Sequence, residues 1–525
     1  MSHRDLEVDD VFAPSGGESR RSSLTEEMTI YLATLLNNNN SSTNAAKGFL
    51  NKPSGNHPGV PAGYSYLFQL AGHDLVFSSL VPRAFDDIGG RSQNLRQEKL
   101  GLETLFGGGP IVCPHAFDMN HRDGTHRLRL GKFRPAGRMA DDRLAPAVDL
   151  PRGRYSADAP DADGPFTDVL IPDSRNDDNN ILAQLTAFFH AVYNKLVAQT
   201  ATVPMPGTQA QIPPHHRSRV ARHATTRIYR RILRHDLLPR IMPANVLSLF
   251  DDTPNLEPLG RDAAETNDLF AYGIARMAHS MVRPEYMLNK GVAGHDLGEV
   301  DLRKIINHSS LHEPGMVPTP IDWKIDGDLF FTAPDTPLAD NFNWAIRFGP
   351  HTADGMTLAT AGKPTKESYP AGTAMRDLVR EKWVGLGRVQ DLIAASAAAL
   401  TAQGIAVPFE AATHYDRVAA TGMAALDAAV RSGHKPPMSD TDKTTITANL
   451  PLVTFLALEA QIDGSNGATY GPLGGLILGA AFGPVFADDT PMTTDDHIAV
   501  ALEQATYGPA PIRDMPTLIT ATEIT

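Results

Sequence analysis

Apolar residues recur at three- and four-residue intervals over ILAQLTAFFHAVYNKLVAQ (Ile181–Gln199), SRVARHATTRIYRRILRHDLLPRIM (Ser218–Met242) and NDLFAYGIARMAHSMV (Asn267–Val282). That spacing puts them on one face of a helix. A shorter helix is predicted from Gly63 to about Val81, stopped by Pro82, and others at MRDLVREKW, RVQDLIAASAAALTAQ and LVTFLALEAQI. Strict alternation is sparse, and no repeat of solenoid or propeller period occurs. Leu100 to Phe166 is dense in Gly, Pro, Arg and Asp and reads as loop. Residues 1–60, polar with LLNNNNSSTNAAKG at their centre, read as a flexible arm or a wrapping extension. The expected architecture is a mainly α protein: one large helical domain, residues 61–525, with long loops of the kind that build sites.

Composition narrows the partners. The 525 residues are 42% hydrophobic with a formal net charge of -13, which argues against a nucleic-acid or anionic-membrane partner. The longest apolar run, Gly474–Ala487, is too short and too broken by Gly and Pro for a transmembrane segment. A single cysteine, Cys113, excludes an intramolecular disulfide and a thiolate metal cluster. With no signal-like N-terminus, a cytoplasmic location is expected.

Three stretches carry polar residues where a helix face should be apolar. In YLFQLAGHDLVF, Gln69 and His73 lie one turn apart and share a face, while Asp74 points about 100° away. A buried pair of this kind is either a hydrogen-bonded core network or faces a ligand. Adjacent His-Asp also permits the metal pair of the HD phosphohydrolases. In DSRNDDNN, Asp177 to Asn180 suit a helix N-terminus. Arg175 does not, because a cation there needs an anionic counterpart. In ARMAHSMVRPEY, His279 sits among Met277, Ala278 and Met281, which suits a haem axial ligand and equally a satisfied core histidine.

In this order the three stretches resemble the distal helix, catalytic-arginine loop and proximal-histidine helix of the animal-peroxidase (peroxidase–cyclooxygenase) superfamily. Smaller likenesses, from RQEKLGLETLFGGGP through PIDWKIDGDLFF and MRDLVREKWVGL to EAQIDGSNGATYGPLGG, extend it from about Gly63 to about Thr490. The resemblance implies a haem peroxidase that reduces hydrogen peroxide through a ferryl intermediate and oxidises a small electron donor: a halide, a phenol or another aromatic. It assigns proton transfer to His73, charge stabilisation to Arg175, a water- or halide-holding role to Gln69, the iron to His279 and a haem propionate to Arg276. The residue orienting His279 is Asp377, where the family usually has asparagine. Asp74 matches a calcium-binding position, although the companion positions hold Gly101 and Glu103. The positions that carry haem esters in mammalian members hold Gly72 and Asp178, so the cofactor implied is haem b, non-covalent or held by one ester at most. Two alternatives stand beside the peroxidase. A fatty-acid dioxygenase or cyclooxygenase-like enzyme would use a tyrosine three residues before the proximal histidine, where this chain has Arg276, with Tyr272 at another offset. A non-catalytic haem-binding protein would need neither His73 nor Arg175.

Overall fold

A computed structural model describes residues 24–38, 56–79, 93–119, 126–134, 148–154, 166–292, 296–333, 342–353, 356, 372–430, 437–487 and 489–522. Helices dominate: α1 Glu26–Asn38, α2 Gly63–Leu75, α3 Asn180–Gln199, α4 Pro214–Ile232, α5 Ala263–Leu269, α6 Thr373–Val384, α7 His414–Ala429, α8 Leu452–Asp463, α9 Pro472–Ala481 and α10 Thr494–Tyr507. The strands are short antiparallel pairs. The longest, β1 (Asn56–Pro61), runs against β2 (Trp344–Ile346) with a bulge. The stretch from Leu100 to Phe166 holds, among its described residues, one four-residue helix, a single 3-10 turn and two- or three-residue strands, as its Gly and Pro content implied.

Two helices are apolar on every side, α8 and α9, and nearly all their residues are buried. A helix without a polar face belongs in the middle of a core. The apolar run beginning at Gly474 therefore forms a central helix. Gly479 lets it approach its neighbour, since a Cβ there would lie 2.2 Å from the Phe250 ring. Among the described residues no single helix is long and apolar enough to cross a membrane.

An aromatic cluster joins α2 to the segment that carries His279. Phe68 of α2 meets Phe270 edge-on at 6.1 Å and stacks on Phe482 at 6.0 Å, and Phe270 meets Phe482 edge-on. Such pairs add about 0.5–1.5 kcal/mol each beyond the area they bury. From Phe270 to Ile274 the backbone widens to a π-helix, then returns through Ala275–Met277 to a 3-10 turn, Ala278–Met281. Val282 turns extended, so the helix ends just ahead of Pro284 as predicted.

Two expectations are corrected. Helix α2 ends at Leu75, not near Val81, because side chains take over its last carbonyls; the two guanidiniums responsible belong to the site described below. Pro82 lies outside the described residues. Within the N-terminal extension the flexible reading is corrected in favour of the wrapping one over Glu26–Asn38, a docked helix with Tyr31, Leu32, Ala33 and Leu35 buried. Its apolar run MTIYLATLL supplies the reason, and Lys382 of α6 holds its entry through the Leu24 carbonyl at 2.9 Å. Of residues 1–60, only 24–38 and 56–60 are described.

Candidate active site

The residues selected from the sequence fall into two clusters with no hydrogen bond or ion pair between them among the described residues.

The first is built on the last turns of α2. His73 Nδ1 lies 2.9 Å from Asn176 Oδ1, and the amide of Asn176 donates to Thr104 Oγ1 at 2.9 Å. Because the Asn176 nitrogen is committed to Thr104, its oxygen must face the imidazole. His73 therefore carries its proton on Nδ1 and presents a bare Nε2, which has no partner among the described residues. Burial and the nearby Arg175 hold its pKa down at about 4, against the opposing pull of Asp173, Asn176 and Asp178. The ring is neutral at pH 7.

Arg175 has the anionic counterpart that its position called for. Its Nε and one terminal nitrogen donate to the two oxygens of Asp173 at 3.0 and 2.7 Å. The remaining contacts go to the last carbonyls of α2, Val76 O and His73 O, both at 3.0 Å. Arg96 repeats the pattern, donating to His73 O at 3.0 and 2.8 Å and pairing with Asp173. The Phe77 ring lies under both guanidiniums, at 4.7 Å from Arg175 and 5.2 Å from Arg96. Burial pushes the Asp173 carboxyl up, but Arg175, His73 and Arg96 outweigh it and hold it at about 2. Two cations at a helix C-terminus satisfy its orphan carbonyls and its dipole together. This is why α2 stops where it does.

Gln69 donates to Asp178 Oδ2 at 3.3 Å and accepts from Asn179 at 3.3 Å. Asn179 also caps α3, taking the Leu182 amide at 2.9 Å, so the capping expected within Asp177–Asn180 falls to this residue. Asp177 instead takes Arg152 in a two-pronged ion pair at 2.7 and 2.9 Å.

Asp74 is fully buried and points away from His73. Its oxygens accept the backbone amides of Leu102 at 2.8 Å and Thr104 at 3.2 Å. A calcium ion needs roughly six to eight oxygens; here the carboxylate faces N–H donors, and among the described residues no cluster of acidic, histidine or cysteine side chains suits a metal. Asp74 is a tether for the turn bearing Leu100 and Leu102, two leucines at positive φ (53° and 58°). For the His-Asp metal pair, Asp74 is likewise committed to these two amides. Burial raises the Asp74 pKa to about 6, with the two amides opposing. A raised carboxyl stabilises the fold below its unfolded value near 4, and that contribution is lost as pH rises through about 6. Taken as about two pKa units, it is on the order of 2–3 kcal/mol. Asp74→Asn should therefore lose this contribution: in denaturant titrations the variant will lose less stability, or gain more, than the parent on going from pH 4.5 to 7.5. An equal change in both would place the titration elsewhere.

The second cluster surrounds His279. Its Nδ1 lies 3.1 Å from Asp377 Oδ2 on α6, and its Nε2 has no partner among the described residues. Asp377 Oδ1 lies 3.7 Å from Arg276 Nε, too far for a hydrogen bond, and both atoms are buried without one. Arg380, one turn along α6 from Asp377, is pushed down by burial and by the neighbouring Arg276. His279, Asp377 and Arg276 line a cavity shared with Leu36 of α1 and with His351, whose Nε2 is 2.9 Å from the Ser280 carbonyl. Tyr272 is buried in the π-helical segment, two turns before His279.

No family model matches the sequence, and no curated protein matches it. Solved structures do match. A fatty acid alpha-dioxygenase of Arabidopsis thaliana superposes with a TM-score of 0.52 at 13% identity, covering 96% of this chain and 76% of that one. Peroxidase A of Dictyostelium discoideum gives 0.49 at 12% identity, covering 98% and 91%. A fatty acid alpha-dioxygenase of Oryza sativa gives 0.45 at 11%, covering 98% and 80%. The chain thus shares the mainly helical fold of the Arabidopsis thaliana fatty acid alpha-dioxygenase. At these identities the likeness is one of fold.

Asn176, Asp173, Arg96, Arg380, His312 and His351 were not picked out from the sequence. Asn176 lay inside a motif already singled out, between Arg175 and Asp177. Asp173 and Arg380 likewise lay inside segments singled out, two and three residues from Arg175 and Asp377, whereas Arg96, His312 and His351 meet their partners from distant segments.

Proposed function

We propose that this chain is a haem-dependent oxidoreductase that reduces hydrogen peroxide and oxidises a small electron donor. One observation supports it above the rest: two histidines on separate elements are each pinned through Nδ1, His73 by Asn176 and His279 by Asp377, and each keeps a bare Nε2. The residues around His279 fit haem b. A bare Nε2 backed by a carboxylate suits an iron ligand, and the unpartnered Arg276 Nε, with Arg380 beside it, suits carboxylate side arms.

Haem, when bound, supplies the electrons that cleave the O–O bond. His73 Nε2 takes the first peroxide proton and returns it to the departing oxygen, which needs a neutral imidazole. Arg175 places positive charge beside that imidazole, and the commitment of its N–H groups to Asp173 and to α2 keeps it from collapsing onto the pocket. The neutral side chain of Gln69, one turn before His73, donates to Asp178. Asp178 already accepts from Gln69 and His312, which favours a non-covalent cofactor. Arg276 stands where the dioxygenase reading needs a tyrosine, and its Nε faces Asp377.

The test is the visible spectrum of the protein reconstituted with hemin, before and after one equivalent of peroxide. A ferric, histidine-ligated Soret band that shifts within seconds and returns on adding phenol or iodide is expected. Failure to bind hemin, or simple bleaching, would sink the proposal.

A further inference from the structure

Beside the candidate distal pocket lies a second acid–base pair. His312 Nε2 is 3.0 Å from Asp178 Oδ1, and the two side chains are 40% and 37% exposed. The other oxygen of Asp178 accepts from Gln69, one turn before His73 on α2. The loop that carries His312 is anchored. Arg152 and Asp177, whose side chains are 2% and 0% exposed, form the two-pronged ion pair described above, and Asp177 Oδ2 also takes the Ser310 amide at 2.9 Å. The Ser309 hydroxyl then accepts the His312 amide at 3.2 Å. A buried ion pair thus fixes an exposed histidine onto a carboxylate whose other oxygen meets the helix that bears His73.

We propose that His312 and Asp178 carry protons from solvent to His73, a role that rests on the peroxide chemistry proposed above. The balance requires such a supply. Hydrogen peroxide, two electrons and two protons give two waters. A phenol donor releases one proton with each electron, whereas ferrocyanide gives electrons alone and leaves both protons to come from water. A proton taken up on the exposed His312 ring makes the imidazolium. Its Nε2 proton passes to Asp178 Oδ1, and Asp178 hands it through pocket water to His73 Nε2, the one free nitrogen of that ring. The titratable groups facing Asp178 are His312 from its loop and His73 and Tyr66 from α2. Burial pushes the Asp178 carboxyl up, but His312, His73 and Gln69 outweigh it and hold it below the usual carboxylate range. A carboxylate of that kind passes a proton on and does not store it.

Two variants test this in the haem-loaded protein. His312→Gln keeps an amide donor for Asp178 and cannot exchange protons. With ferrocyanide as donor, its turnover should fall by about a hundredfold, the lower end of general acid–base contributions. With phenol the loss should be much smaller. Added imidazole should restore the ferrocyanide activity of His312→Ala. A second readout needs no cofactor: by carboxyl-carbon NMR, the Asp178 titration should move up toward the ordinary range in His312→Ala. Parent-like ferrocyanide turnover in His312→Gln overturns the proposal, as does an equal loss with both donors that imidazole does not rescue. A parent that binds no hemin would instead refute the peroxidase reading. The pair itself would then be judged by the NMR titration, and an unmoved Asp178 resonance would remove it.

Discussion

Replacing His73 with alanine is expected to slow the reaction of the haem-loaded protein with hydrogen peroxide by roughly two to four orders of magnitude. The ferric Soret band should stay as in the parent, since His279 and its cavity are untouched. The size follows from the tautomer. Thr104 fixes the Asn176 amide, Asn176 fixes the His73 proton on Nδ1, and the bare Nε2 is then the base. No other side chain on that face of α2 can replace it: Gln69 has no useful basicity, and Asp178 is held well acidic. The pH dependence follows as well. With the His73 pKa near 4, the peroxide step should be flat across neutral pH and fall only as pH drops through about 4. Stopped-flow absorbance at a series of pH values measures both. A limb centred near the ordinary histidine value, or an alanine variant as fast as the parent, would show that some other group takes the proton.

The second large effect is expected at Asp377. In Asp377→Asn the imidazole of His279 loses a carboxylate partner and keeps a weaker amide one, so the iron should become easier to reduce. Peroxide reactivity should fall by about ten- to a hundredfold, the usual cost of losing an outer-shell partner. The carboxylate does not act alone. Arg276 Nε stands 3.7 Å from the other oxygen and draws on the same charge. Arg276→Gln should therefore move the potential in the opposite direction from Asp377→Asn. Spectroelectrochemical titration of the three proteins decides it. Shifts of the same sign in both variants would mean that Arg276 does not act through Asp377.

What could be read in advance follows from physical range. Helices α3, α4 and α6 declare themselves by periodicity, because the spacing that buries one face is written within twenty residues of chain. His73, Arg175, His279 and Asp377 were found through ordered motifs, and the geometry pairs His279 with Asp377 as the resemblance implied. The end of α2 was missed because what stops it is not a local breaker. It is a pair of guanidiniums from Arg96 and Arg175, delivered from 23 and 102 residues away. Asp74 illustrates the same limit: nothing near it reveals that its oxygens meet amides and not a cation. Helix α1 was missed for another reason, since the asparagine-rich flank of MTIYLATLL outweighed a short apolar run in a compositional reading.

Helix α1 also sets an order of events in biosynthesis. Leu36 walls the His279 cavity, yet the partners that hold the helix come from far down the chain: Lys382 reaches back 358 residues to Leu24, and Tyr31 bonds Asp427 across 396. A helix made well before its partners is thus among the last to find its seat, and contacts of such separation form slowly. Until α6 and α7 have emerged, the wall contributed by Leu36 cannot be in place, so the His279 cavity stays open on that side while most of the chain is translated.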